Sequence, residues 1–111
     1  MANKKTKLKK NIKSFLEEFS KIGTINQAIL FGSYAKGTSQ KWSDIDLAII
    51  SKVFENKNKF QRLVMLGKLA WKSKTTEIEA LGFTPKEYKE NNELDILSEI
   101  KRTGKVIYSK N

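Results

Sequence analysis

At 111 residues, 39% hydrophobic and 31% charged, the sequence has the length and composition of one soluble globular domain, with room for a single packed core and none for a second lobe. It contains no cysteine and no histidine, which excludes a disulfide framework, a Cys/His zinc site, a thiol nucleophile and an imidazole acid–base pair. The formal charge of +10 calls for an anionic partner such as nucleotide, nucleic acid or an acidic protein face, yet all 22 cations except Arg62 and Arg102 are Lys. A dedicated nucleic-acid reader uses Arg for bidentate contacts, so the charge reads first as a solvated lysine surface.

Residues 1–10 carry five Lys and read as a basic tail or the polar start of a helix; residues 11–111 read as one domain. No apolar run approaches the roughly 18–20 residues of a membrane span, and the basic N-terminus lacks the apolar stretch of a signal peptide, so a cytoplasmic protein is expected. Ile12, Phe15, Leu16, Phe19 and Ile22 fall on one face of a first helix, which Gly23 stops. Residues 28–31 (AILF) are too short for a helix and bounded by Gly32, which predicts a buried strand. Residues 32–37 then form a turn leading into a short helix, and residues 38–43 a polar loop.

Residues 44–50 predict a second strand, with Asp44, Asp46, Ala48 and Ile50 on one face and Ile45, Leu47 and Ile49 on the other. The spacing of Phe60, Leu63, Val64, Gly67, Ala70 and Trp71 predicts a long helix with these residues, Trp71 included, on its core face. Residues 76–83 alternate as a third strand, with Glu77, Glu79 and Leu81 opposite Ile78 and Ala80. Thr84-Pro85-Lys86-Glu87 is a helix start, with Thr as N-cap, Pro at N1 and Glu at N3. Residues 94–102 predict the last helix, closed by Gly104, and residues 106–108 a short edge strand. The fold class is α/β, a small mixed β-sheet of three to four strands flanked by helices.

The chemistry concentrates at residues 30–50. The chain has three Asp, and two of them, Asp44 and Asp46, stand at i and i+2 on the second strand. Their side chains leave the same face from Cα atoms about 6.5–7 Å apart, close enough to share a divalent ion or grip a pair of ions. Asp44 beside a loop reads tolerably as a solvated residue. Asp46, between Ile45 and Leu47, does not: a half-buried unpaired carboxylate is costly and Asp disfavours strands, so a metal is the economical partner. Oxygen-only ligands favour Mg²⁺, with Mn²⁺ the alternative.

At the end of the first strand, Gly32 lets backbone N–H groups approach an anion, and the Ser33 hydroxyl adds a donor. A Gly-Ser turn alone is ordinary loop punctuation; facing the Asp pair, it is a phosphate cradle opposite a metal clamp. A third carboxylate completes such sites. Glu77, following Lys72, Lys74 and two Thr, reads as an exposed strand face, whereas Glu79 lies between Ile78 and Ala80 and is the choice.

Gly32-Ser33, residues 34 to 43, then Asp44-Ile45-Asp46 is a pattern that resembles the polymerase β-like nucleotidyltransferase superfamily, and specifically the minimal nucleotidyltransferases paired with HEPN-domain proteins. Ala35, Gly37 and Ser43 match the longer signature, and "IEALGFTPKEY" resembles the family's third-carboxylate strand and following helix, which again places the third ligand at Glu79. Tyr34 and Lys36 stand where many relatives carry Arg, and Glu79 where others carry Asp. The resemblance implies the family fold and binding of ATP with Mg²⁺. It also implies transfer of AMP to a hydroxyl, a tyrosine on a HEPN toxin in paired members, so that the small protein is the antitoxin. Asp44, Asp46 and Glu79 would be catalytic metal ligands, and Gly32, Ser33, Lys36 and Ser43 would contact the nucleotide. Two other readings stand beside this one. The chain could neutralise its partner by association alone, or it could be a small-molecule nucleotidyltransferase whose acceptor site is made by dimerisation.

Overall fold

The computed structural model describes residues 4–40, 43–90 and 96–110. Helix α1 (Lys4–Ser20) leads to strand β1 (Gln27–Phe31), the one-turn helix α2 (Ser33–Lys36) and β2 (Ile45–Ile50). A 3₁₀ turn over Lys52–Phe54 precedes α3 (Lys59–Lys72), β3 (Ile78–Phe83), α4 (Pro85–Lys89), α5 (Ile96–Thr103) and β4 (Lys105–Ser109). The sheet order is β3-β2-β1-β4; β1 is antiparallel to both its neighbours, while β2 and β3 run parallel and are joined through α3. This is the expected small mixed sheet flanked by helices. Among the described residues no helix is long and apolar enough to cross a membrane.

The alternation predicted for β2 is what separates the two cores. Ile45, Leu47 and Ile49 join Phe15 and Phe19 of α1 and Leu66 and Leu69 of α3 in the larger cluster. Ala48 and Ile50 turn to the other face, where they meet Ile29 and Leu97 and Ile100 of α5. Phe15, Phe19 and Phe54 are fully buried, each worth about 1.5–3 kcal/mol in removed apolar surface. Asp46 lies on the same face of β2 as Ala48 and Ile50, at the end where Ile96 opens α5.

Several boundaries and one helix face differ from the sequence reading. The lysine-rich start is helical from Lys4, and α1 ends at Ser20, so Ile22 lies past the helix and is 50% exposed rather than core. Asp44 falls one residue before β2, and β3 begins at Ile78. Trp42 and the first two residues of the predicted last helix lie outside the described residues.

The largest correction concerns α3. The helix forms, with Asn58 and Gln61 closing a capping box at its start. However, the residues it buries are Arg62, Leu66, Leu69 and Ala70, while Phe60, Leu63, Val64 and Trp71 face solvent. Both stripes have helical spacing, and the periodic signal favoured the more apolar one. A buried arginine occupies the other, held by the carbonyl oxygens of Phe54, Lys57 and Gly82 and by Glu87.

Candidate active site

At the end of β1 the backbone turns at Gly32 with φ 72° and ψ −152°, a left-handed geometry suited to glycine. A Cβ there would overlap Oδ2 of Asp46 and sit 3.1 Å from its Cγ. The missing side chain is therefore what lets the turn lie against the carboxylate. Ser33 opens α2, and its carbonyl accepts from Thr38 N–H at 2.9 Å, fixing the turn that follows.

Strand register completes the arrangement. Asp46 pairs with Phe31 of β1 on one side and with Glu79 of β3 on the other. Adjacent strands lie about 4.8 Å apart, so the turn, Asp46 and Glu79 form a row across three strands. Asp44 sits exposed at the loop end of β2. Burial pushes the Asp46 carboxyl above its ordinary 3.8, and the neighbouring charges of Glu79 and Asp44 push it further.

The charges of Glu79 and Asp44 act against that of Asp46, and oxygen-only donors of that charge fit a hard divalent ion. Among the described residues no group of three acids is arranged to enclose a metal.

The other sequence-predicted residues are placed differently. Glu77 stands one residue before β3, and its carboxylate accepts from Asn11 of α1, which leaves Glu79 as the acid in register with Asp46. Lys36 ends α2 with its Nζ 3.4 Å from Glu99 of α5. The Ser43 hydroxyl accepts from Gln40 N–H at 2.7 Å within its own loop. The structure thus brings Gly32, Asp46 and Glu79 together, with Asp44 near enough to act on Asp46, and directs Lys36 and Ser43 into protein contacts.

A cleft of about 470 Å³ holds Asp46 and Glu79 and is walled by Phe31, Leu63, Gly67 and Ile96. Its α3 wall was missed in the sequence because Leu63 and Gly67 were assigned to the core. A glycine in the middle of an otherwise good helix was the signal available.

The family description "Polymerase beta, Nucleotidyltransferase" matches residues 10–111. Among solved structures, a protein from Sulfolobus solfataricus assigned as a nucleotidyltransferase is 20% identical, with a TM-score of 0.68 over 91% of this chain and 79% of that one. A toxin–antitoxin structure with AMP-PNP is 21% identical, with a TM-score of 0.57 over 92% of this chain and 73% of that one. Both likenesses carry the fold. A comparison with curated proteins found no match.

Proposed function

We propose, from the premise that the chain belongs to the polymerase β nucleotidyltransferase family, that it transfers AMP from ATP to a hydroxyl of a partner toxin and is that toxin's antitoxin. Family membership makes it a nucleotidyltransferase; the acceptor, the nucleotide and the metal are the proposal. The observation that carries it is the row of Gly32, Asp46 and Glu79: a glycine turn lies directly against the Asp46 carboxylate, and Glu79 stands in register beside it. The likeness to a toxin–antitoxin structure with AMP-PNP supports a protein partner and an adenine nucleotide. The resemblance to HEPN-paired minimal nucleotidyltransferases supports a HEPN toxin and a tyrosine acceptor.

In this reading Asp44, Asp46 and Glu79 would hold Mg²⁺, or Mn²⁺ in its place, which would supply charge neutralisation at the phosphates and a lowered pKa for the attacking hydroxyl. Gly32 N–H and Ser33 hold the triphosphate against the carboxylates. The acceptor oxygen attacks the α-phosphorus, the bond to the β-phosphate oxygen breaks, and pyrophosphate leaves. Glu79 would take the hydroxyl proton; its register with Asp46 and its exposure support that role.

The test combines the purified chain, Mg-ATP and the product of the adjacent reading frame, read by mass spectrometry. Wild type should add one AMP to the partner, and Asp44→Asn with Asp46→Asn should not. Equal transfer by the double variant would sink the assignment. Lys36 paired with Glu99 and Ser43 used inside its loop favour a second reading, neutralisation by binding alone. It requires that the double variant still protect cells from the toxin.

A further inference from the structure

The outward face of α3 has no account in the fold. Phe60 is 73% exposed, Leu63 51%, Val64 39% and Trp71 78%, an i, i+3, i+4, i+11 stripe about 16 Å long. Scattered surface apolars need no explanation, but four large ones aligned on one face of a helix mark a candidate interaction site. Gly67 lies in the middle of that stripe. Glycine is among the poorest helix formers, and a Cβ at Gly67 would meet nothing within 4 Å, so no packing among the described residues requires it. A bare backbone on an exposed helix serves close approach from outside.

The stripe is continuous with the candidate active site. Leu63 and Gly67 wall the cleft that holds Asp46 and Glu79. On the other flank, Phe60 and Val64 line a second groove, about 490 Å³, whose rim carries Lys68 and Lys72. Helix α3 itself has four cations, Lys59, Arg62, Lys68 and Lys72, and no carboxylate.

We propose that this face of α3 docks an amphipathic helix of the acceptor protein, its apolar stripe crossing at Gly67 and its flanks acidic, so that the acceptor hydroxyl enters the Asp46–Glu79 cleft. This inference rests on the protein-acceptor reading and adds the surface by which that acceptor is held. Charge selects the occupant. A second copy of this chain would set Lys59 and Lys68 against their own equivalents with no carboxylate on α3 to answer them, Lys72 being paired with Glu18 of α1 at 3.5 Å. Single-stranded nucleic acid would find aromatic side chains but a rim made of Lys, without the arginines that stack on and grip phosphates and bases. An acidic-flanked helix satisfies both the stripe and its rim.

The experiment measures binding of the adjacent reading frame's product by calorimetry. The partners are the wild-type chain, Phe60→Ser, Trp71→Ser, their double variant, Lys68→Glu, and Asp44→Asn with Asp46→Asn. Both aromatics are exposed, so the fold and the binding of Mg-AMP-PNP should be unchanged in their variants. Each aromatic replacement should weaken partner binding at least about tenfold and the pair about a hundredfold. Lys68→Glu should weaken binding at low salt, with the difference closing as salt rises. The aspartate variant should bind the partner as wild type does.

Wild-type affinity in the aromatic double variant overturns the docking surface and leaves the transfer reading intact. Docking that depends on α3 but is followed by no AMP transfer overturns the reaction and leaves the surface intact. No binding by wild type overturns both. A single-stranded oligonucleotide bound more tightly than the protein, or a wild-type dimer that the aromatic replacements dissociate, assigns the stripe to the competing occupants and overturns the proposal.

Discussion

Two charged clusters flank β3, and they are finished to opposite standards. Around Arg62, which is 8% exposed, every donor has an acceptor. Nε bonds to Lys57 O at 2.9 Å, Nη2 to Phe54 O at 2.9 Å, and Nη1 and Nη2 grip Glu87 at 2.7 and 3.2 Å. Glu87 in turn caps α4, accepting from Thr84 N–H at 2.8 Å. Burial alone would raise the Glu87 carboxyl, but the Arg62 hydrogen bonds, with those from Thr84, hold it below its ordinary 4.5. Asp46 is half-buried, but its charged neighbours are Glu79 and Asp44, and its carboxyl rises. One cluster is complete within the chain, and its work is stability. The other is an electrostatic debt that a bound cation would relieve, which is the pattern of a site held ready at the expense of the fold.

The comparison breaks most sharply at the acids. Asp44→Asn with Asp46→Asn should lower nucleotidyl transfer at least about a thousandfold, the scale of losing a group that stabilises transition-state charge. The same change should leave the urea midpoint unmoved or raise it, because it removes burial of a charge and its repulsion by Glu79. Arg62→Met should do the reverse. It leaves Glu87 and the carbonyls of Lys57, Gly82 and Phe54 without their donor, at a cost of about 3 kcal/mol, the low end for a broken buried pair because Glu87 reaches solvent. The thermal midpoint should fall on the order of 10–20 °C. A variant that lost activity and stability together at Asp46 would show that both clusters are structural.

Acid sharpens the same contrast through the sign of each shift. Glu87 has a depressed folded pKa, so its stabilising contribution is full above 4.5 and is lost as pH falls toward and through the folded value. Asp46 has a raised folded pKa, so its charge destabilises the fold at neutral pH, and that penalty is relieved as pH falls through the folded value toward 3.8. Urea midpoints from pH 7 to pH 3 should therefore converge from opposite sides. Glu87→Gln starts below wild type and approaches it, while Asp46→Asn starts level or above and approaches it from there. Parallel curves for Asp46→Asn would mean that its carboxyl is not perturbed by folding.

What the sequence made legible was what is local. The Thr84-Pro85-Glu87 capping box, the two-faced alternation of residues 45–50 and the Gly32-Ser33 turn each depend on residues a few positions apart, and each is found as read. The register of Asp46 with Glu79 was expected only as a shared region. A parallel pairing is set by how α3 packs between its strands, and no short pattern encodes it. The face of α3 misled because hydrophobic periodicity assumes that the greasier stripe is inside. Arg62 reverses that assumption, its five donors answered by backbone and carboxylate oxygens contributed by the 3₁₀ turn, the loop after it, β3 and α4. The same error hid the stripe of Phe60, Leu63, Val64 and Trp71 now exposed beside the site.

The Lys36–Glu99 ion pair lies between the two extremes and carries the smallest expected effect. Lys36 Nζ stands 3.4 Å from Glu99 Oε1, with the two side chains 49% and 50% exposed. At that exposure the pair is worth little, so Lys36→Met should change stability by less than about 0.5 kcal/mol. Its role in nucleotide binding is a separate question, because Lys36 can neutralise phosphate only by leaving Glu99. If it does so, Lys36→Met should raise the KM for Mg-ATP a few-fold with kcat nearly unchanged, the mark of uniform binding lost. Glu99→Gln, which frees the ammonium, should then lower KM slightly. If neither KM moves, the pair belongs with Arg62–Glu87 as a structural contact in miniature, and phosphate is held at Gly32 and Ser33 without it. If both move in these opposite directions, Lys36 belongs with Asp46 as a group whose partner in the fold stands in for its partner in the reaction.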